Sequence, residues 1–174
     1  WFDLPASRRD GGVDAALALP PGAVSRGATD AIDFQLLDSA PPGRARRFAG
    51  RAYLSGPDGL SIVSDIDDTI KHTQVRDRRQ MLLNTFARPM SAVPGMADWY
   101  AQIAQAAPIA AFHFVSSAPW ALASALEGFL HEHAFPAGSL HLRAFSLQPQ
   151  ALLSKSASLA HKHATIERLL AAQP

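Results

Sequence analysis

The sequence predicts an α/β protein whose parallel sheet is preceded by a small β-rich segment. From about residue 57 onward, short apolar strands alternate with longer helical patterns, which is typical of a parallel sheet covered by helices. Before that point, two segments alternate apolar and polar residues with a period of two, which indicates half-buried strands. The turn cluster GPDG at 56–59 separates the two patterns. We therefore predict a partial β-rich segment at 1–56 and an α/β core at 57–174.

The β-rich segment contains two predicted strands. The stretch AIDFQLLD at 31–38 places Ile32, Phe34 and Leu36 on one face, and RFAGRAYL at 47–54 alternates in the same way. Pro-Pro pairs at 20–21 and 41–42 break any helix there. Residues 1–56 are therefore expected to be a small β-rich segment.

The core elements follow in the order strand, helix, strand, helix. Apolar strands are predicted for LSIVS, IAAFHFVS and LHLRA, at 60–64, 109–116 and 140–144, with the first as a central strand. Helices are predicted at 80–86, 95–107, 119–133 and 158–170. Because ligands of such sheets bind beyond the carboxyl ends of the strands, residues 65–69 and 116–117 are the first places to look for a site.

Composition excludes several classes of protein. The longest apolar stretch, 103–115, is interrupted by Gln105, Pro108 and His113, so it is too short to span a membrane. No signal-peptide pattern opens the chain, and we expect a cytoplasmic protein that can also lie at a membrane surface. A formal charge of +1 does not favour nucleic acid as a partner. The absence of cysteine excludes disulfides, thiolate nucleophiles and cysteine-bound zinc.

Three aspartates follow the first core strand in the stretch SIVSDIDDTIKHTQV at 61–75. Asp65, Asp67 and Asp68 lie so close together that their carboxylates repel one another unless a cation or a shared proton offsets the charge. Asp is also a common turn residue, so an aspartate-rich turn is the simpler interpretation. If Asp65 and Asp67 project into one pocket, their hard oxygen ligands suit Mg²⁺.

The motif Asp65-Ile66-Asp67-Asp68-Thr69 resembles the D-x-D-x-T signature of the haloacid dehalogenase superfamily of phosphotransferases. The strings SDIDDTIKHT, QMLLNTF, VPGMADWY and FHFVSSAPWAL, with a late HK followed by I and LL, resemble one branch, the actin-patch phosphatidate phosphatase catalytic-domain family. The resemblance runs from about residue 58 to the end. It implies a haloacid-dehalogenase-like Rossmannoid core and a Mg²⁺-dependent phosphatase.

The resemblance also implies roles for the motif residues. Asp65 is expected to be the nucleophile that forms an aspartyl-phosphate. Asp67 is expected to protonate the leaving alcohol and then deprotonate water. Mg²⁺ would be held by Asp65 and by the backbone carbonyl of Asp67, and Thr69 would fix the loop or bind substrate. For Asp68, a solvated loop charge and an indirect metal contact stay equally open.

The second core strand ends in Ser116 and Ser117, which we expect to bind the phosphate group of the substrate. A helix that begins at Pro119 would add free N–H groups beside them. One serine could instead cap that helix, and both roles are compatible. The resemblance selects Ser116 for the phosphate.

Lys162 lies in the last predicted helix, on an apolar stripe formed by Leu159, Ile166, Leu169 and Leu170. A lysine that faces inward needs an anion, and the resemblance places it beside the nucleophile and the phosphate. A lysine that extends to the surface at the helix edge is the alternative, with Lys155 in reserve. Residues at i and i+2 of a helix diverge, so neither His161 and His163 nor His131 and His133 predict a metal pair.

Of two basic runs, 43–51 and 76–80, the second lies close to the aspartate motif, so this run, Lys71 and His72 are candidates for contact with an anionic lipid head group. Solvated surface is the default interpretation of both runs. Residues 71–107 are too few for a large cap domain, so we expect an open site that suits a bulky or membrane-held substrate. Phosphatidate is the expected substrate; another phosphomonoester, or a lipid-binding or phosphate-binding module without turnover, are the alternatives.

One departure from the superfamily pattern concerns the metal. An acidic motif resembling G-D-S-x-x-x-D should follow the Lys162 helix and complete the Mg²⁺ site, yet no aspartate follows Asp98. The chain also begins at Trp1, and both of its ends resemble cuts in a longer chain. We expect that the 174 residues alone are inactive.

Overall fold

A computed structural model of the chain describes residues 2–8, 12–13, 15–20, 22, 31–37, 47–54, 60–72, 90–106, 111–144 and 155–172. The strands of this described part are β1 Ala31–Leu37, β2 Arg47–Tyr53, β3 Ser61–Asp65, β4 Ala111–Pro119 and β5 Ser139–Arg143. Its α-helices are α1 Met96–Ala106, α2 Ala123–Glu132 and α3 Lys155–Ala172. The helix predicted at 80–86 and the basic run at 76–80 lie outside the described residues.

Strands β3, β4 and β5 form a parallel sheet in that order, which confirms the predicted α/β fold class. In the described sheet β4 lies between the other two strands, so β3, which was predicted as a central strand, lies at one edge. Five consecutive residues of β4, 112–116, are buried, whereas in β3 only Ser64 is. A strand covered on both faces needs a continuous apolar run, and β4 has the stronger one.

The antiparallel pair β1–β2 confirms the two strands predicted in the β-rich segment. Phe34 lies opposite Gly50, and a Cβ atom at Gly50 would collide with the Phe34 ring. On the other face, the Arg51 guanidinium donates two hydrogen bonds to the Asp33 carboxylate, at 2.6 and 3.1 Å. The pair holds the pKa of Asp33 below its usual value, chiefly through that hydrogen bonding. The domain boundary at 56/57 stays a prediction.

The core of the parallel-sheet unit is aromatic. Tyr100 of α1 packs against Phe112 of β4 and against Phe135, with ring centroids 5.9 Å apart in both pairs. Phe114 and Phe129 extend this network, and each is at most 3% exposed. Burying each such ring contributes about 1.5–3 kcal/mol relative to leaving it in water. The sheet is therefore a rigid base for the residues at its carboxyl edge.

The segment after β4 differs from the prediction. The helix expected from Pro119 begins only at Ala123, because β4 continues through Pro119 and a 3₁₀ turn follows at Trp120–Leu122. Pro119 is extended, with φ −71° and ψ 153°, which its ring permits as readily as a helical turn. The two serines therefore lie within a strand rather than at a helix N-terminus.

Helix α3 packs on β4 with a largely polar face. Three apolar side chains that were predicted to face the core are instead exposed, namely Leu159, Ile166 and Leu170. The face that contacts the sheet carries Ser158, Lys162 and the buried Thr165, which follow helical spacing. Periodicity identifies residues that share a face, and the described contacts of this helix with the sheet side are largely polar.

A cluster of histidines lies between β4, β5 and α3. Ser139 Oγ is 2.8 Å from both His113 Nδ1 and His141 Nε2, and these two ring nitrogens are 3.4 Å apart. Burial lowers the pKa of His113, and it lowers that of His141 to about 4 with help from the charges of His113, Arg168 and His161. Burial also lowers the pKa of His161, although two backbone carbonyls oppose the change. We call His113, His141 and His161 the histidine cluster.

None of the helices in the described residues is both long and apolar enough to cross a membrane.

Candidate active site

The loop after β3 is held by backbone hydrogen bonds that converge on one carbonyl. The Ile66 carbonyl accepts bonds from the amides of Thr69, Ile70 and Lys71, at 3.4, 3.1 and 3.0 Å. Ile66 and Ile70 are fully buried, and Ile66 N donates to Val115 O of β4. The alternation of buried isoleucines with aspartates therefore anchors the loop in the core while Asp65 and Asp67 remain partly exposed.

Asp68 gives this loop its tight turn. Its φ of 59° lies in the left-handed region, which Asp tolerates better than most residues do. Its amide donates to Lys71 O at 2.9 Å, which brings the chain back toward Asp67. Asp68 is exposed, so the turn points its side chain away from the core. The simpler interpretation, a turn-forming aspartate, describes Asp68 well.

Asp65 forms an ion pair with Lys162 of α3. Lys162 Nζ lies 2.7 Å from Asp65 Oδ1, and each side chain is 31% exposed. The Oδ1 atom itself is buried and has no other partner of hydrogen-bond geometry among the described residues. The structure thus brings together the predicted nucleophile and the predicted lysine, which are 97 positions apart in the sequence. Lys155, the reserve candidate, is exposed at the first residue of α3.

Asp67 has a partner on each carboxylate oxygen. Lys71 Nζ lies 2.8 Å from Oδ1, and Ser116 Oγ donates to Oδ2 at 2.8 Å. The Lys71 side chain is only 10% exposed and Ser116 is fully buried, whereas the Asp67 side chain is 28% exposed. The carboxylate is therefore held from inside the protein with one side open to solvent. We refer to Lys71 and Ser116 as the Asp67 clamp.

Ser116 and Ser117 have different partners. Ser116 Oγ, besides donating to Asp67, accepts a hydrogen bond from the amide of Ala118 at 3.0 Å. Ser117 Oγ lies 2.5 Å from Ser158 Oγ, which connects β4 with α3 close to Lys162. The pair thus links the motif loop to both the sheet and the last helix. The predicted phosphate contact of either serine stays a prediction.

Tyr100 and Ser64 support the site and were missed by the sequence analysis. The Tyr100 hydroxyl donates to Ser64 Oγ at 2.9 Å, and Ser64 Oγ donates to the Asp65 carbonyl at 2.8 Å. This buried chain of hydrogen bonds connects α1 to the backbone of Asp65. A serine at the last apolar position of a strand was the available signal, since a buried hydroxyl needs a partner.

The donor atoms of the site suit a hard cation, but they are few. Carboxylate and carbonyl oxygens at 65–67 match the ligands that Mg²⁺ prefers, and it takes about six of them, several from water. In the described part of the chain, no three histidine or acidic side chains come together as a metal cluster. Lys162 and Lys71 offset the charge of Asp65 and Asp67 instead. The residues therefore fit Mg²⁺ as part of its coordination shell.

Fold and site together define an α/β protein with a Rossmann-like core that gathers paired carboxylates and lysines at the carboxyl edge of its parallel sheet. Asp65 and Asp67 are each paired with a lysine, and the partner of Asp65, Lys162, comes from a distant part of the chain, which a simple aspartate-rich turn would not require. The chain belongs to the family described as the catalytic domain of phosphatidate phosphatase APP1, whose model matches residues 60–174. This match confirms the resemblance to the actin-patch phosphatidate phosphatase catalytic-domain family.

Two curated relatives share the region. Phosphatidate phosphatase APP1 of Saccharomyces cerevisiae is 36% identical over 97 residues, which cover 54% of this chain and 16% of the yeast protein. A protein of Schizosaccharomyces pombe described as uncharacterized is 33% identical over 117 residues, covering 62% of this chain and 19% of its own length. The chain therefore spans less than a fifth of the length of these relatives.

Proposed function

We propose that this chain carries the nucleophile and the acid/base of a Mg²⁺-dependent phosphatase that converts phosphatidate to diacylglycerol and phosphate. The observation that carries the proposal is the ion pair of Asp65 with Lys162, beside an Asp67 carboxylate that is held and partly open. Membership of the phosphatidate phosphatase family supports the same class of reaction. The name of the yeast relative supports the choice of substrate.

In the first step, a carboxylate oxygen of Asp65 attacks the phosphorus atom and forms an aspartyl-phosphate. The bond between phosphorus and the alcohol oxygen breaks, and Asp67 gives that oxygen a proton, so diacylglycerol leaves as the neutral alcohol. Lys162 stabilises the negative charge on the phosphoryl oxygens as the bond to Asp65 forms.

In the second step, Asp67 takes a proton from water, and the resulting hydroxide attacks the phosphorus of the aspartyl-phosphate. The bond between Asp65 and phosphorus breaks, inorganic phosphate leaves, and Asp65 recovers its carboxylate. Asp67 then holds the proton that the next cycle needs. One water is consumed for each phosphate released, so atoms and charge balance.

The carboxylate of Asp65 and the backbone carbonyl of Asp67 are the groups that would hold Mg²⁺, which when bound offsets the negative charge of the phosphate. Lys162 already pairs with Asp65 Oδ1, so any cation has to share that carboxylate with an ammonium group. Activity that rises with added magnesium and disappears with a chelator is expected.

An exposed tryptophan favours a lipid over a soluble substrate. Trp120 follows β4 directly, four positions after Ser116, and is 52% exposed. Tryptophan partitions into the head-group region of a bilayer, where one edge of its ring is apolar and the other is wet. We therefore propose that the protein works on phosphate presented at a membrane surface, as a peripheral protein.

The decisive variant is Asp65→Asn in the full-length protein. The amide cannot form the acyl phosphate, so release of phosphate from 4-nitrophenyl phosphate and from phosphatidate vesicles should fall to background. Asp33→Asn, at an exposed aspartate of the β-hairpin, is the matched control and should keep full activity. Substantial turnover by Asp65→Asn would overturn the mechanism.

The substrate is tested separately. Phosphatidate in vesicles should be hydrolysed with a higher kcat/KM than soluble phosphomonoesters such as glycerol 3-phosphate. The reverse order would indicate a phosphatase of another phosphomonoester. Binding of phosphatidate vesicles without phosphate release, in the full-length protein with magnesium, would indicate a binding module without turnover.

A further inference from the structure

Two buried hydroxyl groups connect α1 to the backbone of Asp65. Tyr100 donates to Ser64 Oγ at 2.9 Å, and Ser64 donates to the Asp65 carbonyl at 2.8 Å. We propose that this hydroxyl pair, Tyr100 and Ser64, positions the nucleophile, because it fixes the peptide bond after Asp65 and thereby the direction of the Asp65 carboxylate. The inference rests on the proposed function, in which that carboxylate attacks phosphorus.

Ser64 and Asp65 point to opposite faces of the sheet, as consecutive residues of a strand do. Ser64 faces α1, where it meets Tyr100, and both residues are buried. Asp65 faces α3, where its Oδ1 atom lies 2.7 Å from Lys162 Nζ. The nucleophile is therefore held at its carboxylate from one face of the sheet and at its backbone from the other.

The peptide unit between Asp65 and Ile66 has a hydrogen bond on each side. Its carbonyl accepts the Ser64 hydroxyl at 2.8 Å, and its N–H donates to Val115 O of β4 at the longer distance of 3.3 Å. Asp65 is also the last residue of β3, where the pairing with β4 ends. Because the rotamers open to a side chain depend on the φ and ψ of its own residue, fixing this peptide restricts the directions in which the Asp65 carboxylate can point.

Packing alone does not require the two hydroxyl groups. The neighbouring rings of Tyr100 include Phe112 and Phe135, each 5.9 Å away, and a phenylalanine at position 100 would fill the same space. A buried hydroxyl costs free energy unless it is hydrogen-bonded, whereas replacing a bonded pair by apolar groups of similar shape can be nearly neutral. The bond to the Asp65 carbonyl therefore points to a role in catalysis rather than in stability.

This role predicts that catalysis and phosphate binding respond differently when the pair is removed. The value of kcat/KM includes the attack of Asp65 on phosphorus, whereas the inhibition constant of inorganic phosphate reports binding without reaction. A misdirected carboxylate should lower kcat/KM and leave the inhibition constant of phosphate nearly unchanged. A general loosening of the site should change both values.

The experiment measures both values for the full-length protein with magnesium, with 4-nitrophenyl phosphate as substrate. Ser64→Ala should lower kcat/KM by about 10-fold and Tyr100→Phe by about 3-fold, the range expected for one buried hydrogen bond. The inhibition constant of phosphate should change by less than about 2-fold in each. Ser64→Thr keeps a hydroxyl group and should recover part of the loss of Ser64→Ala.

The double variant Ser64→Ala/Tyr100→Phe separates positioning from stability. Ser64→Ala leaves the buried Tyr100 hydroxyl without its acceptor, so it should lower the free energy of unfolding measured in urea. Adding Tyr100→Phe removes that hydroxyl and should restore the free energy of unfolding, while kcat/KM stays as low as in Ser64→Ala. Recovery of kcat/KM together with stability would show a purely structural pair and would overturn the inference.

Phe129→Leu is the matched control for packing. Phe129 is buried in the same core, and its ring contacts those of Phe135 and His133. The substitution should lower the free energy of unfolding without lowering kcat/KM. An equal fall of kcat/KM in Phe129→Leu and Ser64→Ala would overturn the inference, because lost stability alone would then explain the effect.

The remaining outcomes separate this inference from the proposed function. An unchanged kcat/KM in Ser64→Ala, with Asp65→Asn inactive, would overturn the inference and leave the proposed function intact. A rise in the inhibition constant of phosphate that matches the fall in kcat/KM would do the same. Turnover by Asp65→Asn, or none by the unaltered protein, would reject the proposed function and this inference with it. If Ser64→Ala does not fold, the two values for Tyr100→Phe decide the question.

Discussion

Acid should destabilise this protein through the histidine cluster, and His141 is the residue with which to test it. Ser139 Oγ can donate to one of the two neighbouring ring nitrogens and accept from the other, which requires that at least one of the two rings be neutral. Two protonated rings would both donate to Oγ and would repel each other, since His113 Nδ1 and His141 Nε2 are 3.4 Å apart. Arg143 and Arg168 add further positive charge around the cluster.

The magnitude follows from the pKa of His141. The fold lowers it from 6.5 to about 4, a difference of about 2.5 pKa units, and each unit corresponds to about 1.4 kcal/mol. Because the ring is only partly buried, solvent screening reduces the resulting figure of roughly 3 kcal/mol to about 1–2 kcal/mol. Above about pH 6.5 both states are neutral and nothing is lost. As the pH falls from about 6.5 to about 4, the His141 ring binds a proton in the unfolded chain but stays neutral in the folded chain, so the free energy of unfolding decreases.

The assay is urea unfolding of the wild type and of His141→Gln at about pH 7 and about pH 4.5. Carboxylates elsewhere titrate in the same range, so the informative quantity is the difference between the two proteins in how much stability acid removes. Between the two pH values, the free energy of unfolding of His141→Gln should decrease by about 1–2 kcal/mol less than that of the wild type. His131→Gln, at an exposed histidine of α2, is the control and should lose as much as the wild type. An equal loss in all three proteins would refute the reasoning.

Two further pairs of substitutions test the site and the packing around the sheet. Lys162→Met should fold, because a partly exposed ion pair contributes at most about 1 kcal/mol, yet it should weaken vanadate binding and lower kcat/KM by about 10²-fold or more. Lys155→Met should change neither value; the opposite pattern would transfer the role to Lys155. A Cβ atom at Gly138 would collide with the carbonyl oxygen of Phe112 and lie 2.7 Å from its Cβ, so Gly138→Ala should cost about 1–3 kcal/mol in urea unfolding. Gly128→Ala, in α2 with open space around it, should instead stabilise by about 0.5–1 kcal/mol, and similar effects at both glycines would contradict the packing argument.

The sequence alone determined the class of fold, the motif and the family. Alternating periods of two and of about 3.6 residues are local properties, and they predicted the strands of both sheets and the helices that follow β3, β4 and β5. The position of Asp65 after an apolar strand predicted the site, because the carboxyl ends of parallel strands meet at one edge. The sequence did not predict the element boundaries or the strand order of the described sheet. Strand β4 extends to Pro119, and it lies in the central place that was expected for 60–64.

Tertiary structure decided the long-range partners of the site, whereas Lys71 lies only four positions from its partner Asp67. Lys162 reaches Asp65 across 97 positions, and Ser116 reaches Asp67 across 49, so no local pattern could have paired them. Three apolar residues of the predicted α3 stripe, Leu159, Ile166 and Leu170, are exposed. Lys162, which was placed on the same stripe, does face the site, and Ser158 contacts β4 beside it. The sequence specifies which charged residues are present. Their partners depend on packing, since an ion pair forms only where the folded chain brings the two groups within about 4 Å.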